Sequence, residues 1–199
     1  MVHPLILASG SEIRREMLER NGVACEVHPA RIDEETVKAA LLADGHKARD
    51  VADALAELKA ARIAARFPDR LVLGADQVLE CDGRLFSKAE NRDAAQAQLE
   101  ELSGKTHLLH SAAVIFEEAR PVWRQVSSVR MTMRALSPDR ITSYLETAWP
   151  RVASSVGCYQ IENDGAQLFA QIHGSHFAIL GLPLLEVLSY LTLRGETGT

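Results

Sequence analysis

The chain has 199 residues, 47% hydrophobic and 25% charged, with 22 Lys and Arg against 27 Asp and Glu for a formal net charge of −5. That composition is long and apolar enough to bury a core without a disulfide or a metal, and it excludes a largely disordered chain. The net acidity argues against duplex DNA or RNA as the main partner, while leaving room for a local basic pocket that takes a small polyanion.

Leu5-Ile6-Leu7-Ala8 reads as a short buried strand running into Ser9-Gly10-Ser11. A helix follows to about Arg20, with Ile13, Met17 and Leu18 on one face and Asn21-Gly22 as its stop. Val23 to His28 is a second strand, closed by Pro29. Glu34 to Leu42 and Asp50 to Phe67 are helices, the longer one carrying Ala54, Leu58, Ala61 and Ala65 as a stripe and broken by Pro68-Asp69. Leu71 to Ala75 reads as a buried strand that continues through Val78 and Leu79, and Asp82-Gly83 signals a hairpin turn. Asn91 to Leu102 is an amphipathic helix. Thr106 to Glu117 and Val122 to Met133 are two long strands joined near Ala119-Arg120-Pro121. Ser137-Pro138 caps a helix to Ala148. Gly157 to Phe169 is punctuated by Gly and Asn, with strand-like pieces, and Leu182 to Leu193 is a terminal helix starting on Pro183. Parallel crossovers in the first half and an antiparallel hairpin in the middle predict an α/β chain with a mixed sheet.

Cys25, Cys81 and Cys158 are odd in number, far apart and without a Cys-x-x-Cys pair, so they read as small buried thiols in a reducing compartment. The apolar run at Leu5 to Ala8 is too short for a signal peptide, and no stretch approaches ~18 apolar residues. The expectation is a cytoplasmic protein with no membrane span.

Four groups of residues bear chemistry. Ser9-Gly10-Ser11 ahead of a helix, with Arg14 and Arg15 on its first turns, offers backbone N–H groups, two hydroxyls and a guanidinium to a phosphate; a capping Ser11 beside solvated arginines is the plainer alternative. Gly74-Ala75-Asp76-Gln77 ends an apolar strand with a carboxylate where α/β proteins place ligands. Lys59 on the long helix and Lys88 after the Asp82-Gly83 turn each read alone as a surface lysine, and Asp33-Glu34-Glu35 begins a helix whose macrodipole favours acids anyway. Together they suit a metal-bound polyphosphate, with hydroxyls, Arg and Lys for the anion and Glu and Asp for Mg²⁺.

Other signals are set aside. Ser103-Gly104-Lys105-Thr106 imitates the end of a Walker A motif, but Leu99 stands where its first glycine is needed and a helix precedes it where a strand should. The seven histidines form no metal box: His107 and His110, three apart in a strand, point to opposite faces, and His173 and His176 flank a loop. No His-Glu-x-x-His and no Gly-x-Ser-x-Gly elbow occurs, which disfavours a zinc protease or a serine hydrolase.

In order along the chain, Leu7-Ala8-Ser9-Gly10-Ser11 with Arg14, Ile32-Asp33-Glu34, Lys59-Ala60, Gly74-Ala75-Asp76-Gln77, Lys88, Ser103-Gly104 with His107, Gly157 to Gly165, and Gly181-Leu182-Pro183 resemble the Maf family of nucleoside triphosphate pyrophosphatases. The resemblance spans nearly the whole chain. It implies a single Maf-like domain over residues 1–199 made of two lobes with a cleft, its mixed, elongated, twisted sheet flanked by helices (Maf/ITPase-like), often in a homodimer. It implies hydrolysis, dependent on a divalent metal cation (Mg²⁺ or Mn²⁺), between the α- and β-phosphorus atoms, giving a nucleoside monophosphate and pyrophosphate. Carried over by position, Asp76 is the general base or metal-linked catalytic carboxylate and Glu34 helps to hold the metal. Ser9, Ser11, Arg14, Lys59 and Lys88 bind phosphates, while Gln77 and Glu162 are placed to meet a base edge.

Departures from the family pattern bear on specificity. Many members have Ser-x-Ser-Pro-Arg-Arg; here Glu12 replaces the proline and Ile13 the first arginine. Gln77 follows Asp76 where the dTTP/UTP-cleaving branch has Thr, Glu162 falls where that branch has Gln, and Ala89 replaces the proline after Lys88. The Asp-Gln pair and the apolar residue before Arg14 look more like the branch acting on 7-methyl-GTP. A dTTP/UTP pyrophosphatase and a non-catalytic nucleotide-binding regulator of septum formation are the alternatives.

Overall fold

A computed structural model describes residues 3–196. Its strands are β1 (Leu5–Leu7), β2 (Cys25–Val27), β3 (Val72–Cys81), β4 (Arg84–Phe86), β5 (Thr106–Glu117), β6 (Arg120–Met133) and β7 (Phe169–His173). Its helices are α1 (Glu12–Arg20), α2 (Glu34–Ala43), α3 (Ala48–Ala64), α4 (Arg92–Leu102), α5 (Pro138–Ala148), α6 (His176–Ile179) and α7 (Leu184–Leu193). The strands form one seven-stranded mixed sheet in the order β2-β1-β3-β5-β6-β7, with β4 on β3. β1 pairs in parallel with β2 and β3, whereas β4 and β7 run antiparallel to β3 and β6. This is the expected α/β class. Among the described residues no helix is long and apolar enough to cross a membrane.

Contacts divide the chain into two units. The first takes residues up to Gln77, 111–127, and from Ser175 onward. Its core gathers Leu5 and Leu7 of β1, Leu73 of β3, Ile115 of β5, Met17 and Leu18 of α1, and Leu184, Val187 and Leu191 of α7. Each fully buried leucine contributes about 1.5–3 kcal/mol, so this cluster fixes β1 and β3 as a rigid pair. The α3 face differs from the stripe expected. Leu58 is 43% exposed and Ala65 is exposed, while Val51, Ala52, Leu55, Ala56, Lys59, Ala60 and Ile63 are buried. Alanines surround the helix, so apolar spacing alone does not choose its inner side, and the inner side includes a lysine. The helix also begins at Ala48 and ends at Ala64, where the bonds from Arg66 to Ile63 and from Phe67 to Ala64 tighten the chain into a turn.

The second unit takes residues 78–110 and 128–174. The Asp82-Gly83 turn forms as expected, both residues at positive φ. The β5–β6 turn falls earlier than expected, on Glu118 and Ala119 in the first unit, both at positive φ (48° and 57°). A two-residue hairpin turn of this kind needs positive φ that Pro121 cannot adopt, so the proline sits inside β6 near its start. The segment from Gly157 holds 3₁₀ turns at Val156–Cys158 and Asp164–Leu168 rather than strand pieces, and pairing begins only at Phe169. Cys81 and Cys158 are buried free thiols, but Cys25 is only partly buried.

His107 and His110 face opposite ways, as the strand period requires. His110 Nδ1 lies 2.8 Å from Ser128 Oγ and its Nε2 lies 3.2 Å from Glu80 Oε2. His107 is buried, its Nε2 lying 2.7 Å from Tyr159 Oη, and its Nδ1 has no partner. Burial pulls its pKa down from 6.5 to about 4. Between those values the unfolded chain binds a proton that the folded chain refuses, so stability falls as pH falls through that window. Thermal melts from pH 7 to pH 4 are expected to show a His107-dependent loss on the order of 3 kcal/mol, absent in His107→Phe. Parallel pH profiles for the two proteins would refute this.

Candidate active site

β3 is paired with β1 as far as Leu73, opposite Leu7, so Ser9 and Asp76 both lie just past the carboxyl end of a parallel strand pair. Open α/β sheets collect ligands at that place. α3 lies flush on β3 there. A Cβ built on Gly74 would sit 2.7 Å from Ala60 N and 2.8 Å from Ala60 Cβ, and closer still to the Ala56 carbonyl oxygen. Only glycine permits this approach, and the approach brings Lys59 within reach of Asp76.

Lys59 is the centre of an ion cluster. Its Nζ contacts Asp76 Oδ1 and lies 2.8 Å from Glu34 Oε1. Glu34 is delivered by the start of α2, where Asp33 caps the helix by accepting bonds from Thr36 N (3.1 Å) and Thr36 Oγ1 (2.8 Å). The side chains of Lys59 and Asp76 are 9% and 6% exposed, so their attraction is poorly screened by water. Burial pushes the Asp76 pKa up, opposed by the nearby charges of Lys59 and Arg14. Asp76 Oδ2 is buried and has no hydrogen-bond partner.

Arg14 shares the buried face of α1 with Met17 and Leu18. Its Nε donates to the Gly181 carbonyl (2.7 Å), and Nη1 donates to Ser9 Oγ (2.9 Å) and the Ala75 carbonyl (3.0 Å). Gly181 adopts φ +96°, and a Cβ there would lie 3.1 Å from Arg14 Nη2. Ser9 Oγ accepts from Arg14 and, at 3.3 Å, from Ser11 N, so its own proton is left to donate elsewhere. Ser11 occupies the N-cap position of α1 but makes no capping bond with its side chain. Arg15 pairs with Glu12 and Glu19 on the surface of the helix.

Gln77 turns away from this cluster. Its Nε2 donates to Ser111 Oγ (3.0 Å) and to the carbonyls of Ala178 (3.0 Å) and Ile179 (2.9 Å), while Ser111 Oγ donates to Ala178 O at 2.6 Å. Gln77 and Ser111 therefore clamp the α6 turn, and Arg14 holds the Gly181 carbonyl just after it. Ser111 escaped the sequence reading. The available signal was a lone hydroxyl in the apolar run Ala112-Ala113-Val114-Ile115 of β5.

Ser9, Ser11, Arg14, Glu34, Lys59, Asp76 and Gln77 thus all belong to the first unit. Lys88, just past β4, and Glu162, before the 3₁₀ turn at Asp164–Leu168, are exposed residues of the second. Lys105 pairs with Asp82 at 3.0 Å after a helix, which agrees with its rejection as a P-loop lysine. Among the described residues no three His, Cys, Asp or Glu side chains form a ready cage for a metal. Asp76 and Glu34 instead form a two-carboxylate set with one buried oxygen unpartnered. Such a set fits Mg²⁺-type cations, which take one or two carboxylates and complete their shell with phosphates and water.

Sheet, crossovers and ion cluster define an α/β protein with a charged site at the carboxyl ends of its parallel strands. The chain belongs to the Maf-like protein family, whose model matches residues 4–193. It is 50% identical over 199 residues, all of both chains, to a nucleoside triphosphate pyrophosphatase of Ruegeria pomeroyi. It is 51% identical over 191 residues to nucleoside triphosphate pyrophosphatase 1 of a Jannaschia species, and 46% identical over 192 residues to a nucleoside triphosphate pyrophosphatase of Caulobacter vibrioides. Each of these matches covers 96% of both chains.

The burial of Arg14 changes what its removal should do. Arg14→Ala strips a donor from Ser9 and from two carbonyls, so it is expected to cost about 2–4 kcal/mol of stability in addition to its effect on turnover. Arg15→Ala should stay within about 0.5 kcal/mol of the parent, since exposed helix ion pairs contribute little. Urea titrations of the two variants measure both, and equal destabilisation would overturn the contrast.

Proposed function

We propose that this chain is a nucleoside triphosphate pyrophosphatase, a hydrolase that splits the bond between the α- and β-phosphates to give a nucleoside monophosphate and pyrophosphate. The observation that carries the reading is Asp76: a buried carboxylate of β3 just beyond the stretch paired with β1, held by Lys59 on one oxygen and unpartnered on the other. Its 46–51% identical relatives bear the same activity in their names, across the whole chain.

The chain's own groups suit that reaction. Asp76 is the general base or the metal-linked carboxylate of the reaction, and burial pushes its pKa up. Lys59 and Arg14 supply fixed positive charge in a site poorly screened by solvent, where charge developing on the pyrophosphate is best stabilised. The free proton of Ser9 donates to a phosphate oxygen. Asp76 and Glu34 are the residues that would hold a divalent cation. Bound there with the triphosphate, Mg²⁺ or Mn²⁺ would neutralise phosphate charge and acidify a water molecule. The family pattern adds Ser11, Lys88 and Glu162 as substrate contacts, and a homodimer in the cytoplasm as the working form.

For the base, we favour 7-methyl-GTP, on the Asp76-Gln77 pair and the apolar Ile13 before Arg14. Because the amide donors of Gln77 are engaged with Ser111 and the α6 carbonyls, Gln77 acts on base choice through the placement of residues 178–181. Pyrophosphate release from 7-methyl-GTP, dTTP and UTP with Mg²⁺ tests the preference directly. A dTTP- or UTP-selective profile replaces the 7-methyl-GTP reading, and tight binding without turnover on any nucleotide would favour a regulator.

Asp76→Asn is expected to lower kcat by at least ~10². Its melting temperature should fall, because Lys59 keeps only the half-exposed Glu34 as counter-charge, so turnover is compared at a temperature where both proteins are folded. Lys105→Ala should remain within about three-fold of the parent, as a surface lysine paired with Asp82. A folded Asn variant that turns over within about ten-fold of the parent would remove Asp76 from the catalytic role.

A further inference from the structure

The ion cluster balances its own charge. Asp76 and Glu34 contribute two negative charges. Lys59 and Arg14 contribute two positive ones, Lys59 in direct contact with both acids and Arg14 close enough to act on Asp76. The ammonium of Lys59 therefore stands between the same two carboxylates that a divalent cation would need. A cation arriving alone meets a buried positive charge already in place between the two acids, and displacing Lys59 would leave its ammonium in a largely dehydrated position without a counter-charge. A triphosphate removes that obstacle, because it offers Lys59 new anionic partners as it brings the metal in.

We propose that Lys59 is a resident counter-cation that keeps divalent metal off the Asp76–Glu34 pair until nucleotide binds, so that metal and nucleotide enter together. The proposal rests on the pyrophosphatase reading of this site and adds an order of binding to it. Three features bear on it: the bridging contacts of Lys59, its near-complete burial, and the unpartnered Asp76 Oδ2, which marks a coordination position that Lys59 does not fill. An exposed lysine would move aside at little cost. This one sits on the inner face of α3 with its side chain 9% exposed.

The test follows bound Mn²⁺ by its enhancement of water proton relaxation, a signal that reports metal fixed on the protein whether or not turnover occurs. Wild type with Mn²⁺ alone should show no saturable enhancement, and should show it once a non-hydrolysable α,β-methylene nucleoside triphosphate is added. Lys59→Met should show saturable enhancement with Mn²⁺ alone, where wild type shows none. The double variant Lys59→Met/Asp76→Asn should lose it again. Saturable Mn²⁺ binding to nucleotide-free wild type overturns the proposal, and this arm does not depend on any variant folding. A folded Lys59→Met protein that binds no Mn²⁺ also overturns it. No enhancement in wild type even with the nucleotide analogue removes the metal site itself, and with it both this proposal and the metal-assisted part of the functional reading.

Discussion

The contact of α3 with β3 at Gly74 is the constraint from which the site follows. A side chain at that position would collide with helix backbone, so the strand must carry glycine there for the helix to lie flat. With the helix flat, Ala60 meets the strand and Lys59, its neighbour, contacts Asp76, two residues beyond the glycine on the same strand. The small-residue contact and the ion pair are thus parts of one arrangement.

The pair is costly in isolation. Two charges taken out of water lose several kcal/mol of hydration each, and Coulomb attraction offsets this only when further partners complete the set. Here Glu34 and Arg14 complete it, and the remaining orphan is a single carboxylate oxygen. Buried polar atoms without partners are uncommon in folded proteins. Around this cluster, the carbonyls of Ala75, Ala178, Ile179 and Gly181 are each claimed by Arg14, Gln77 or Ser111, so the loops that frame the site are tied to the strands by side chains.

Much of this was legible in the chain itself. Strands and helices fell close to their observed bounds wherever periodicity and punctuation agreed, as at β5, α4 and the Asp82-Gly83 turn. Asp76 was marked by its apolar flanks and Arg14 by the turn before a helix, whereas Lys59 and Glu34 gained meaning only from the ordered set of motifs. Reading failed where the local signal was degenerate. On α3, alanines on every side hid which face turned inward. Between Gly157 and Phe169, glycines and asparagine signalled irregular chain but not 3₁₀ turns. The β5–β6 turn was placed near Ala119-Arg120-Pro121, one or two residues late, although a tight hairpin turn excludes the proline.

By itself, then, the sequence determined the α/β class, the order of elements and the family, because these depend on hydrophobic period, turn residues and ordered motifs that are properties of neighbouring positions. The tertiary structure decided what each polar residue does. Arg14 became an interior strut, Gln77 and Ser111 a clamp, and Lys59 the bridge between two acids. Those roles come from distances between residues far apart in the chain, such as Arg14 with Gly181 and Gln77 with Ala178. Burial then sets their strength, since an ion pair shielded from water is a different physical object from the same residues on a surface.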